Sequence, residues 1–251
     1  MNSYKVFDKI NSGRYGTVYK ARYIFDSKNY AIKIVAKNRS HNEVKILTKL
    51  QNKHNIVQLK ETFEYEDNVY IIEEYCEKGD LNTYLENLET DMTEKEVANL
   101  IKQILNGLLL CKNSGIVMCD VKPANILVFD EYKLCDFGCS QYCNDPFTGL
   151  TKKIGTPLYL APEVVKKDYG YLCDVYSIGI MTYFLLTKTY PYVVNIRNLD
   201  DILTAITTHN IYLDDAILSP LALNFIEKCL EYDKYKRITF EEALDHLFLK
   251  I

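Results

Sequence analysis

Apolar and polar positions between residues 4 and 35 fall into three strand-like runs. Gly13 and Gly16 separate the first two, and Tyr30-Ala31-Ile32-Lys33-Ile34-Val35 forms an apolar third. From Asn42 to Leu50 the apolar residues Val44, Ile46, Leu47 and Leu50 take up helical spacing, and strand patterns return at Ile56 to Leu59 and at Val69 to Glu74. This predicts a small strand-rich lobe with one helix over residues 1–75. After Lys78-Gly79-Asp80 the character changes. Thr93-x-x-Glu96 has the form of a capping box opening a long apolar-striped helix to about Asn113. Helical patterns recur at about 174–187, 199–208, 219–231 and 240–247, with loops around Pro191, Asp214 and Asp233. Neither repeats nor a low-complexity linker interrupts them. The predicted class is α+β: a small sheet lobe followed by a larger, mainly helical lobe over 76–251, the two making one domain over 1–251.

Composition narrows the partners. With 251 residues, 48% hydrophobic, 25% charged and six prolines, the chain has the apolar material for a sizeable core, or for two small lobes sharing a cleft. A net charge of -4 and a pI near 5.7 argue against nucleic acid or an anionic membrane as the main partner. Basic protein surfaces are easier to accommodate. The eight cysteines include no C-x-x-C pair, which reads as reduced, mostly buried thiols, and the four dispersed histidines predict no structural zinc. The start runs directly into a strand pattern, and no window holds about 18 uninterrupted apolar residues. The expectation is therefore an intracellular, cytoplasmic protein, with nuclear access open and without membrane insertion. The end at Ile251, soon after the last helix, predicts no separate regulatory domain.

Candidate chemistry begins in the small lobe. Gly13-x-x-Gly16 lies between two strand patterns, followed by Val18, and Lys33 sits in the next strand. A glycine hairpin lets backbone amides approach phosphate oxygens, and a lysine adds a fixed positive charge, although an ordinary turn beside a surface lysine has the same pattern. Glu43, expected at the start of the helix, can pair with Lys33 or stand solvated. The stretch from Gly115 to Leu127 is more specific. Asp120 can orient a hydroxyl nucleophile and accept its proton, Lys122 can neutralise a transferring phosphoryl group, and Asn125 can hold a metal. Asp136-Phe137-Gly138 adds a second metal-binding carboxylate beside a glycine hinge.

With these motifs on the page the chain resembles the eukaryotic-type protein kinase family along essentially its whole length. Gly155-Thr156-Pro157-Leu158-Tyr159-Leu160-Ala161-Pro162-Glu163, the run Asp174 to Gly179 and the run Asp233 to Thr239 resemble later family motifs in the right order. The resemblance implies the bilobal kinase fold, ATP with Mg2+ and a protein substrate carrying Ser or Thr; a monomer is a separate expectation. It implies that Glu163 pairs with Arg237 and that Asp174 holds the backbone of the catalytic loop. Val18, Ala31 and Leu127 would sandwich adenine, with Gly13 and Gly16 over the phosphates. Backbone groups around Glu74 and Cys76 would reach the adenine edge, and Asp80 would meet ribose or a basic substrate residue. Lys122 together with Thr156 is similar to serine/threonine rather than tyrosine kinases.

Several residues depart from the family pattern. Met118-Cys119 replaces the usual His-Arg before Asp120. Methionine can fill the apolar column with Phe137, Leu47 and Leu59, whereas Cys119 has no charged fork with which to read a phosphate on the activation loop. Activity without loop phosphorylation is the expectation, although Thr148, Thr151 and Tyr142 remain modifiable. Asn11 stands for a loop glycine, with its tolerance of left-handed backbone as the rationale. Glu73, at the back of the adenine pocket, must be hydrogen-bonded, paired or partly wet, Lys33 being one partner. The short interval from Lys33 to Glu43 predicts a trimmed loop and a helix about a turn shorter. Ala124 lacks a carboxylate that would favour basic substrates. The alternatives are a pseudokinase acting as a nucleotide-binding interaction module and a small-molecule phosphotransferase, the latter disfavoured by the Gly155 to Glu163 segment.

Overall fold

Alternating β-branched and aromatic residues pair into an antiparallel sheet in the computed structural model, which describes residues 3–13 and 16–251. The first two residues and the tip of the Gly13–Gly16 hairpin lie outside the described residues. Strands β1 (Tyr4–Gly13), β2 (Gly16–Tyr23) and β3 (Asn29–Ala36) are followed by helix α1 (Lys37–Lys49), β4 (Leu59–Tyr65) and β5 (Asn68–Glu74). The sheet order is β1-β2-β3-β5-β4, with Ile32 opposite Ile72 and Lys33 opposite Ile71 in its centre. Ile56 and Val57 are not the start of a strand, contrary to the pattern. Ile56 makes an isolated bridge to Leu134 of the large lobe, and the strand begins at Leu59.

Helix α1 corrects a second expectation. It follows β3 with no intervening loop and spans 13 residues, so Glu43 sits in its second turn rather than at its start. Lys37 to His41 are polar and carry no periodicity, which hid this turn from the pattern. Ala36 supplies no side-chain cap. Instead the Lys37 N–H donates to the Asp67 carbonyl in the β4–β5 turn, and the Ser40 hydroxyl donates to the Lys37 carbonyl.

The large lobe starts with α2 (Leu81–Glu86), too short to register in the sequence, and α3 (Glu94–Asn113), opened by the Thr93–Glu96 capping box. Two small ladders, β6 (Ile116–Val117) with β9 (Gln141–Tyr142) and β7 (Ile126–Val128) with β8 (Tyr132–Leu134), frame the catalytic loop. The remaining helices are α4 (Pro162–Val165), α5 (Cys173–Thr187), α6 (Leu199–Thr207), α7 (Pro220–Cys229) and α8 (Phe240–Asp245). Twelve of the fifteen residues of α5 are buried, so this helix is apolar all round and forms the axis against which α3 and α7 pack.

The Arg237 guanidinium braces this lobe. It is bidentate to Glu163, with Nη2 donating to Oε2 at 2.9 Å, and Nη1 and Nε also donate to the Leu172 and Glu231 carbonyls at 3.1 and 3.0 Å. Both partners are buried. Removing one leaves the other as an uncompensated buried charge. Arg237→Met is expected to destabilise the protein by about 3–5 kcal/mol, measured by urea unfolding; a loss below ~1 kcal/mol would show that the brace carries no stability.

Candidate active site

The catalytic loop hangs from one buried carboxylate. Asp174, in the first turn of α5, accepts the Met118 N–H at 2.8 Å and the Cys119 N–H at 2.9 Å. Burial pushes its carboxyl up to about 6, while those two N–H groups and Cys173 pull it down. Cys119 is held at φ +64, a left-handed conformation that costs energy for a side chain bearing a Cβ. Opposite it, Gly155 (φ +108) passes so close to the Cys119 carbonyl that no side chain fits there. Met118 is fully buried in one apolar cluster with Leu47 and Phe137, and Leu59 packs against its edge.

Beyond this anchor, Asp120 is buried and its two carboxylate oxygens are differentiated. Oδ1 accepts the Thr156 hydroxyl at 2.7 Å, and Oδ2 accepts Lys122 Nζ at 2.8 Å and Asn125 Nδ2 at 3.1 Å. Lys122 Nζ also donates to Thr156 Oγ1 at 2.6 Å, closing a triangle between the catalytic loop and the 155–163 segment. Asn125 donates through Nδ2 to the Asp120 carbonyl as well, at 2.8 Å, and its Oδ1 accepts no hydrogen bond from the described residues.

Lys33, from the buried face of β3, reaches Glu43 Oε1 at 2.5 Å and Asp136 Oδ1 at 2.7 Å. Burial works against the ammonium, but the charges of Glu43 and then Asp136 outweigh it and raise its pKa. Burial, with the Asp136 charge adding to it, pushes the Glu43 carboxyl upward, and the Lys33 charge opposes this. Asp136 sits at φ +57, and its Oδ1 also accepts the Gly138 N–H at 3.3 Å, leaving Oδ2 without a hydrogen bond from the described residues in a side chain about a third exposed. Asn125 Oδ1 and Asp136 Oδ2 are thus two hard oxygen donors with no other partner among the described residues, a donor set that suits Mg2+ completed by phosphate and water oxygens. Among the described residues no group of three or more His, Cys, Asp or Glu side chains could hold a metal by itself.

Of the residues expected around adenine, Val18 faces Lys33 across the ladder and Ala31 faces Glu73. Below them Leu127 bridges to Asp80. The Glu74 side chain is committed elsewhere, to Lys133 at 2.8 and 3.0 Å and to the Gln58 N–H. The Cys76 N–H has no acceptor among the described residues, and the thiol pins this linker to the Val128 carbonyl at 3.0 Å. Asp80 caps α2 through Thr83 N. Gly13 pairs with Gly16, whose φ of +131 and contact with the Ile34 carbonyl require glycine. Asn11 has no left-handed backbone: it lies in β1 opposite Val18, and its side chain accepts the Ser12 N–H, so the rationale from backbone tolerance is withdrawn.

Glu73 does not pair with Lys33, one of the partners expected for it. It is buried, Oε1 has no hydrogen-bond partner, and Lys33 is engaged by Glu43 and Asp136 instead. Burial pushes the carboxyl up to about 8; Lys33 opposes this, while Glu43 and Asp136 add to it. The group therefore escapes the cost of a lone buried charge by staying protonated at neutral pH. Asn42 was not singled out from the sequence, yet its Nδ2 donates to the Ser140 carbonyl at 2.7 Å and ties α1 to the segment after Gly138. Nothing in the helical pattern marks it, since an exposed polar position looks the same with or without such a partner.

A buried aspartate hydrogen-bonded to lysine and threonine, a lysine clamped by a helix glutamate, and two further oxygen donors thus lie close together in the places where the sequence resemblance expects them. Residues 4–249 match the protein kinase domain family, and the chain belongs to that family. It is 33% identical to the calcium/calmodulin-dependent protein kinase type I of Schizosaccharomyces pombe, over 98% of this chain and 78% of that protein. It is 32% identical to calcium-dependent protein kinase 5 of Plasmodium falciparum and 30% to a CDPK-related protein kinase of Daucus carota, over 96% and 99% of this chain. The chain spans only 44% of the length of those two relatives. No helix among the described residues is long and apolar enough to cross a membrane.

The Glu73 carboxyl gives a pH signature. Its folded pKa of about 8 lies above the unfolded value of 4.5, so its penalty is absent below pH 4.5, grows as pH rises, and levels off above 8. The stability of wild type relative to Glu73→Gln is expected to fall across that window, by at most about 1.4 kcal/mol per pH unit, in paired thermal or urea melts. A difference independent of pH would show that Glu73 does not titrate there.

Proposed function

We propose that this chain is an ATP- and Mg2+-dependent serine/threonine protein kinase, acting as one domain over residues 1–251 and probing its substrates as a monomer. We infer further that it works without phosphate on its activation segment. The observation that carries this reading is the Asp120–Lys122–Thr156 triangle beside the closed Lys33–Glu43 pair, with an uncharged Cys119 just before Asp120.

In this reading Asp120 Oδ1, steadied by the Thr156 hydroxyl, orients the substrate Ser or Thr hydroxyl and takes its proton as the oxygen bonds to the γ-phosphorus and the bond from that phosphorus to the bridging oxygen breaks, releasing ADP. Lys122 neutralises charge on the transferring group. Lys33, fixed by Glu43, holds the phosphates of ATP, whose adenine lies between Val18, Ala31 and Leu127 with the free Cys76 N–H at its edge. Asn125 and Asp136 would hold Mg2+, which supplies charge neutralisation on the phosphates. A phosphorylated loop would need a cationic reader at position 119, and Cys119 has only weak contacts to offer, a 3.8 Å approach from Gln141 Nε2 among them. Eight cysteines without a disulfide support a reducing, cytoplasmic setting.

Incubation with labelled ATP, Mg2+ and generic proteins tests the activity. Asp120→Ala is expected to lower transfer by roughly 10²–10⁴-fold. Phosphatase-treated wild type is expected to keep its rate; near-complete loss restored by rephosphorylation would overturn the second part. Partner binding without any Asp120-dependent transfer would instead make the chain an interaction module.

A further inference from the structure

The activation segment between β9 and Gly155 is fastened to the large lobe by contacts that converge on one side chain. Lys234 Nζ donates its three protons to the Phe147 carbonyl at 2.7 Å, the Asp168 carbonyl at 2.9 Å and Asp168 Oδ2 at 2.9 Å. The Lys234 side chain is only 12% exposed, and it lies by the Tyr235 ring, which in turn packs on Phe147 with ring centroids 4.7 Å apart. The other oxygen of Asp168 accepts the Thr148 hydroxyl at 2.5 Å. Thr148 and then Lys234 hold the Asp168 carboxyl below its usual range. Lys234 thus reaches the segment twice, directly at Phe147 and through Asp168 at Thr148.

Backbone contacts follow the same line. Tyr171 N donates to the Asp145 carbonyl, Leu172 N to the Pro146 carbonyl, and Leu150 and Tyr169 exchange two hydrogen bonds at 3.0 and 3.2 Å. Gly170 lies so close to the backbone of Asp145, Pro146 and Phe147 that a side chain there would displace the segment. Tyr169 carries the docking onward. Its hydroxyl donates to the Lys152 carbonyl at 2.6 Å and accepts Gln141 Nε2 at 2.8 Å, a few residues before Thr156 closes on Asp120.

We propose that Lys234, with Asp168 as its relay, is the positioning residue that holds the activation segment in its assembled place, so that this kinase needs no phosphate there. The inference rests on the phosphate-independent reading above. An exposed Lys–Asp pair alone would contribute little. The force of the clamp lies in the two carbonyls that Lys234 also satisfies from a largely buried position, since each would lose its charged donor if the ammonium were removed.

All assays use the full chain after phosphatase treatment, with Lys234→Met, Lys234→Arg, Thr148→Val and, as a control, Lys236→Met, whose lysine is exposed and paired only with Asp233. In Lys234→Met, kcat/KM for a protein substrate is expected to fall roughly ten- to hundred-fold with KM for ATP unchanged. Trypsin is expected to cut faster after the exposed Lys152 and Lys153. Lys234→Arg should recover most of the activity, Thr148→Val should show a smaller loss in the same direction, and Lys236→Met should match wild type. Wild-type kcat/KM and trypsin resistance in Lys234→Met would overturn the inference alone. So would a loss that falls equally on KM for ATP and on melting temperature, with no gain in loop cleavage. Should Lys234→Met fail to fold, an unchanged Thr148→Val overturns it. Phosphatase-treated wild type that is itself inactive brings down the underlying reading first, and this inference with it.

Discussion

One buried ammonium organises the space between the lobes. Lys33 is 5% exposed and is stable there only because Glu43 from α1 and Asp136 from the segment after β8 both lie within hydrogen-bonding distance. A charge in that position is costly without partners, so the requirement runs outward from it. Helix α1 must lie across the sheet with Glu43 facing in, and the Asp136 backbone must take the left-handed turn that aims its carboxylate upward. The same constraint brings Phe137 into the apolar column with Leu47 and Met118, so an electrostatic condition in one lobe fixes packing in the other.

The family departures acquire meaning from that frame. Met118 occupies the column without a polar atom to satisfy, and the Asp174 carboxylate holds the loop backbone whatever the side chain at 118 or 119. Glu73 is the opposite case. It lies near the same charges but outside their hydrogen bonds, and the lowest-cost state for an unpartnered buried carboxyl is the neutral one. The lack of a cationic side chain at 119 coincides with a polar clamp at Lys234, Asp168 and Thr148, built from residues none of which stands in the catalytic loop.

Much of this arrangement was legible in the chain. The long helices from Glu94 and Cys173 announce themselves by a capping box and by near-continuous apolar sequence, and Asp120, Lys122, Asn125 and Asp136 stand in short motifs whose spacing is set by local backbone geometry. The first turn of α1, the short α2 and the two- and three-residue ladders were not legible. Their residues are polar or few, and their hydrogen bonds are completed by distant partners such as the Asp67 carbonyl.

The sequence by itself determined the class of fold, the order of its main elements and the candidate groups for chemistry, because periodicity and motif spacing are local properties of the backbone. Tertiary structure alone decided which charges meet. Lys33 chose Glu43 and Asp136 over Glu73, Asn42 found Ser140, and Lys234 found a segment that lies about 90 residues earlier in the chain. Each of these depends on burial and on the direction of a side chain after folding, and neither is a property of any single stretch of sequence.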